Sequence, residues 1–184
     1  MPPHDACKDA AELAVLGNLY RYNSYVRKKY LATLKGIPSS ELLRDREASH
    51  PSLLDIYLHV LDAYRAWFVV RYEGKEWVPS ESLSGRVTST SVAGREAGRL
   101  DAYVLGLVER LRPEDLRRTV RFPDGGRILG DTVRDILWHM TEEELQHRGE
   151  LNALLWQAGV EPPVTDWMVW KLETGQPGPT VFDP

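Results

Sequence analysis

The chain contains almost no cysteine. Cys7 is the only one, and it lies in a polar stretch near the N-terminus. A single thiol excludes a disulfide framework within one chain, and it also excludes a cysteine-ligated metal site. We therefore expect a protein of a reducing compartment, with any metal held by other side chains.

Strong charge of one sign and long apolar runs are missing as well. Charged residues make up 27% of the 184 residues, the formal net charge is -4, and the basic residues are scattered. This charge pattern argues against nucleic acid as a partner. No apolar run approaches the roughly 18 residues of a membrane span, and Met1 to Asp5 lacks the basic-then-apolar order of a signal peptide. We expect a cytoplasmic protein that acts on a small molecule.

Helical periodicity dominates what is present. With 42% hydrophobic residues, the chain can form one core, and we predict a single domain over residues 1–184. Apolar residues repeat at steps of three and four in four long segments, and a short extended excursion with an Asp-Gly-Gly turn lies between the third and the fourth. The predicted helices cover residues 9–35, 51–74, 92–111 and 131–158, and the excursion covers 119–129. The sequence therefore predicts an all-α fold, a four-helix bundle with a small hairpin before the last helix.

Polar residues interrupt the apolar face of the last helix. Glu143 and His147 follow Ile136 and Met140 on the same face, four residues apart. Side chains at positions i and i+4 can converge on one cation. His59, beside the apolar stripe of the second helix, is the candidate third ligand. The sequence therefore indicates a divalent metal site formed by His59, Glu143 and His147.

Two aspartates near His59 are candidates for hydrogen bonds to its ring. Asp55 and Asp62, at i-4 and i+3 from His59, can reach its second ring nitrogen and fix the tautomer. Spacing alone leaves another interpretation open: His59 is a hydrogen-bonded core residue, and Glu143 belongs to an exposed acidic turn paired with Arg148.

Two segments resemble a known family. Residues 136–151, ILWHMTEEELQHRGEL, are similar to the last-helix signature of the DinB-like (DinB/YfiT-like) superfamily, L-x-H-V-x-N-H-x-x-x-H-R-G-Q. The family motif continues with G-x-x-P-P, which residues 159–163 match. The segment Leu58-His59-Val60, with Trp67 eight residues after His59, resembles the second-helix motif of the same family.

The resemblance implies an up-down-down-up four-helix bundle, often dimeric, with a metal held by three histidines. Carried over, these ligands fall on His59, Glu143 and His147, so the chain departs from the pattern at Glu143. Two histidines and one carboxylate suit Zn, Fe, Ni or Mn. His139, one turn earlier, is an alternative ligand or an outer partner, and Arg148 is either an anion contact or a surface partner of Glu144.

The family also implies a class of reaction. Three protein ligands leave positions open for water or substrate, as in catalytic metal sites. Relatives include transferases that use a small cellular thiol and thiol-dependent isomerases of maleylpyruvate type. We therefore expect a metal-dependent thiol transferase or hydrolase, with no catalytic residue assigned beyond the metal ligands. The alternatives are a non-catalytic metal-binding stress or interaction protein and a metal-free bundle. Trp138 and Trp156, on the outer side of the last helix, suggest a homodimer.

Overall fold

The computed structural model describes residues 4–76, 78 and 82–176. The fold is mostly helical with one small antiparallel sheet, as the sequence predicts. The elements in chain order are α1 (His4–Lys35), α2 (Ser39–Leu42), α3 (Leu53–Tyr64), a π-helical segment (Arg65–Tyr72), α4 (Thr90–Arg110), a 3-10 turn (Pro113–Arg117), β1 (Thr119–Asp124), β2 (Arg127–Thr132), α5 (Val133–Gln157) and α6 (Trp167–Glu173).

The four long helices enclose the core. α1 packs against α4 and α5, and α3 packs against the same two helices. Their apolar faces meet at fully buried side chains such as Leu16, Leu34, Leu58, Leu61 and Leu137. The packing of α3 on α5 brings the two predicted metal-binding segments together.

The second predicted helix differs from the structure at both ends. α3 begins at Leu53 rather than Pro51, because the Ser52 side chain accepts a hydrogen bond from the Asp55 N–H and caps the helix. After Tyr64 the chain continues as a π-helix. The apolar periodicity does not reveal this change, because aromatic and β-branched residues occur in both helix types.

The predicted hairpin is confirmed. β1 and β2 pair from Thr119 opposite Thr132 to Asp124 opposite Arg127. Gly125 and Gly126 form the turn with φ of 53° and 78°, which glycine adopts without strain. The last helix begins at Val133 rather than at the predicted Asp131. Asp131 pairs with Val120 in the sheet, and the Thr132 side chain caps α5 by accepting a hydrogen bond from the Asp135 N–H.

The C-terminal tryptophans of α6 pack onto α1. Trp167 and Trp170 of α6 contact the Tyr22 ring at centroid distances of 5.0 and 5.6 Å. Phe182 lies outside the described residues, as do positions 79–81 of the loop before α4. Trp138 and Trp156 are exposed on α5. Within the described ranges, no helix is both long and apolar enough to cross a membrane.

Candidate metal centre

Three histidines from three segments of the chain lie close together. His50 lies in the irregular stretch before α3, His59 lies on α3, and His147 lies on α5. One nitrogen from each ring lies within 4.8 Å of those of the other two. The His50 and His59 rings stack with centroids 4.0 Å apart, and His147 meets His59 edge-on at 4.5 Å. Such a group is close enough to share one ion after small side-chain rotations.

Glu143 joins two of these rings. Its Oε1 atom lies 3.2 Å from His59 Nε2 and 3.1 Å from His147 Nε2. The residues predicted from the sequence, His59, Glu143 and His147, therefore lie in one place. His147 is buried, whereas the His59 side chain is 32% exposed, so the group can be reached from solvent.

Glu150 fixes the other side of the His147 ring. Its Oε2 atom lies 2.7 Å from His147 Nδ1, one turn further along α5. When Nδ1–H donates to this carboxylate, Nε2 carries a lone pair that faces Glu143 Oε1. Two acceptors 3.1 Å apart are stable only with a proton or a cation beside them, so this donor set suits a metal ion. Although partial burial acts to raise it, the hydrogen bond with His147 holds the pKa of Glu150 below its usual range.

His50 is the histidine that sequence reasoning missed. Burial lowers the pKa of His50, and the neighbouring His59 and His147 rings lower it further. A lowered pKa favours the neutral imidazole, which is the form that binds metals. His50 precedes Pro51 in a stretch without periodicity, so no pattern marked it. The one available signal was the departure from the family pattern at Glu143, which leaves room for a third imidazole from elsewhere.

The two aspartates expected to orient His59 make other hydrogen bonds. Asp55 accepts hydrogen bonds from Ser52 Oγ and from the Gly85 backbone N–H. Asp62 accepts hydrogen bonds from the backbone N–H groups of Leu83 and Ser84. These bonds fasten the loop after the π-helical segment to α3. None of these hydrogen bonds involves the His59 ring.

His139 and Arg148 make contacts with residues outside the metal centre. The His139 ring packs on Trp67 with centroids 4.6 Å apart. Arg148 donates to the Tyr22 hydroxyl and to Asn23 Oδ1, both at 3.1 Å. Its predicted pairing with Glu144 is wrong, because Glu144 is buried and pairs with Arg27 instead.

A buried polar cluster adjoins the histidines. The Arg27 guanidinium bonds Asp101 and Glu144, and the Tyr64 hydroxyl donates to Glu144 Oε2 at 2.6 Å. Burial alone would lower the pKa of Arg27, but the two carboxylates help to raise it well above its usual value. A small cavity of about 20 Å³ separates this cluster from His147, with Tyr57 in its wall. Two carboxylates against one guanidinium leave excess negative charge next to a potential cation site.

A match to a family model shows which family the chain belongs to. The model described as the DinB family matches residues 9–177, which is most of the chain. The chain belongs to the DinB family. A curated relative, Protein DinB of Bacillus subtilis (strain 168), is 26% identical to this DinB-family chain over 163 residues, covering 85% of the chain and 93% of the relative.

Solved structures show the same fold. A DinB-like protein from Bacillus cereus ATCC 10987 superposes with a TM-score of 0.57 at 17% identity, covering 76% of this DinB-family chain and 90% of the other. The DinB-like protein YjoA from Bacillus subtilis gives a TM-score of 0.56 at 15% identity, with coverages of 80% and 97%. At these identities the likeness concerns the fold alone.

Proposed function

We propose that this DinB-family protein binds one divalent metal ion through His50, His59, His147 and Glu143. The observation that carries the proposal is the convergence of three imidazoles within 4.8 Å, with a carboxylate oxygen on two of them. Imidazole and carboxylate donors suit Zn, Ni, Fe or Mn. His50 supplies the third imidazole that the family places at position 143.

We further propose that the protein is an enzyme, a thiol transferase or a hydrolase that uses a low-molecular-weight thiol or water. When bound, the ion supplies a Lewis acid that favours the deprotonated form of a thiol or water beside it. Glu150 holds the His147 ring, Glu143 adds negative charge, and the exposed edge of His59 leaves access for a substrate. The four helices would form the up-down-down-up bundle of the family, and the exposed Trp138 and Trp156 would face a second copy in a homodimer.

Elemental analysis tests the metal proposal. Chain purified without chelator should contain about one divalent ion, as a single mononuclear site requires. His50→Ala and His59→Ala should each lose most of it. His139→Ala is the matched control, because His139 lies on α5 but packs on Trp67. A metal-free chain that takes up no ion on titration would contradict the proposal and leave only a metal-free bundle.

Turnover assays test the enzymatic proposal separately. Mass spectrometry should detect adducts between a low-molecular-weight thiol and an electrophile, or hydrolysed product, with wild-type protein and not with His59→Ala. A full metal content without turnover across a broad panel would instead support a non-catalytic metal-binding stress or interaction protein. Light scattering tests the dimer, and a monomeric mass would refute it.

A further inference from the structure

A second cleft lies between the π-helical segment and β1. It has a volume of about 570 Å³, within the range of small-molecule sites. Its apolar lining includes Val70, Phe122 and Pro123, and its charged lining includes Arg71 and Arg121. None of the residues of the metal centre lines this cleft.

The π-helix shapes the wall of this cleft. Ala66 and Arg71 both line it and are five residues apart, which is the spacing of a π-helical hydrogen bond. In an α-helix, residues five apart point in clearly different directions. The wider turn therefore brings Ala66 and Arg71 closer to one face of the helix, and both border the cleft. Helices of this type are frequent at functional sites.

The two arginines of the cleft lack carboxylate partners among the described residues. The Arg71 guanidinium lies over the Trp67 ring at 4.3 Å and over the Phe122 ring at 5.2 Å. Among the residues that the structure describes, neither Arg71 nor Arg121 forms an ion pair with an acidic group. Lys75, also in the lining, is paired with Glu73 at 2.7 Å. Two guanidinium groups without an ion-pair partner, next to apolar lining residues, are complementary to an organic anion.

We propose that this cleft binds a small organic carboxylate with a flat apolar body. The carboxylate would accept hydrogen bonds from Arg71 and Arg121, and the body would lie on Val70 and Pro123, which are less buried than Phe122. Glu76 also lines the cleft, and its charge disfavours anions with two or more negative charges, such as phosphate. The site is separate from the metal centre, so the proposal does not depend on the proposed function.

Benzoate is a suitable probe, with benzamide as its neutral counterpart of the same shape. Two-dimensional amide spectra of the full chain should show shifts concentrated in residues 66–76 and 121–123 on addition of benzoate, and no such shifts with benzamide. Arg71→Gln and Arg121→Gln should each weaken benzoate binding by about tenfold, the effect of losing one charge-assisted hydrogen bond. His59→Ala should bind benzoate like wild type.

Arg127→Gln is the matched control. Arg127 lies on the same hairpin, is exposed, and does not line the cleft, so its loss should leave benzoate affinity unchanged. Arg121 is also exposed, so its substitution tests the site even if Arg71→Gln fails to fold. The proposal is overturned if benzamide binds as well as benzoate, if inorganic phosphate binds more tightly, if Arg127→Gln causes the same loss, or if benzoate does not bind.

Discussion

The Arg27 guanidinium pairs with the Glu144 carboxylate inside the helical core, where both side chains are almost fully buried. Asp101 accepts from the same guanidinium, and Tyr64 donates to the same carboxylate. These four residues come from α1, α5, α4 and α3, so one polar cluster joins all four long helices. A cluster of this kind ties the position of Glu143 and His147, on the neighbouring turn of α5, to the rest of the core.

Removing the guanidinium should therefore destabilise the protein strongly. Arg27→Met leaves two buried carboxylates without a counter-ion, and we expect a loss of about 3 to 5 kcal/mol in the free energy of unfolding. Chemical denaturation followed by circular dichroism measures the loss. Arg21→Met, on the same helix, removes an exposed pair with Glu109 and should cost less than about 1 kcal/mol. Equal losses in the two variants would contradict the role given to the cluster.

Two tyrosines of α3 should respond differently to loss of the hydroxyl. The Tyr64 hydroxyl donates to Glu144, so Tyr64→Phe should cost about 1.5 to 3 kcal/mol, the range for a hydrogen bond to a charged group. The Tyr57 hydroxyl is buried, and among the described residues it has no hydrogen-bond partner. Tyr57→Phe should therefore be neutral or stabilising. Denaturation of the two variants side by side checks this, and a larger loss for Tyr57→Phe would refute it.

Sequence patterns located the helices because burial of one helical face requires a regular spacing. The stripe that includes Ile136, Met140 and Leu151 is buried as expected, and Glu143 and His147 stand between these positions. The spacing predicts one apolar face with a polar interruption, and it does not distinguish Glu143 from Glu144. In the structure Glu144 is the more deeply buried of the two. Its burial depends on Arg27 from a distant part of the chain, which no local spacing reveals.

The remainder of the centre also depends on tertiary contacts. His50 reaches His59 because the irregular chain before α3 folds back over it, and such a stretch carries no periodicity. Glu150 stands where the family motif has Gln, and no role is predicted for it from the sequence; its role follows only from the direction of the His147 ring. The π-helical segment after Tyr64 packs against β1, and local composition does not reveal this contact.

Asp62 should stabilise the loop that follows the π-helical segment. Its carboxylate accepts from Leu83 N–H at 2.9 Å and from Ser84 N–H at 3.0 Å. Asp62→Ala should cost about 3 kcal/mol of unfolding free energy, because several hydrogen bonds to one charge are lost. Hydrogen exchange should accelerate at these two amides.

The same variant distinguishes two roles for Asp62. If the carboxylate acts on the loop alone, the metal affinity of Asp62→Ala should equal that of wild type, whereas His59→Ala loses it. A parallel loss of metal affinity in Asp62→Ala, with the loop amides still protected, would restore the role of orienting the His59 ring.

Glu150 should control metal affinity without binding the ion. Its carboxylate holds His147 Nδ1–H, which leaves Nε2 directed at the shared centre. Glu150→Ala should weaken binding by about 10- to 100-fold, the usual effect of removing the partner of a metal-bound histidine. Glu150→Gln keeps an acceptor but not the charge, so its loss should be smaller. Competition with a chelator of known affinity measures each variant, and Glu142→Gln, exposed on the same helix, should match wild type. If Glu150→Ala and Glu142→Gln retain the same affinity, the His147 ring does not depend on Glu150 for its orientation.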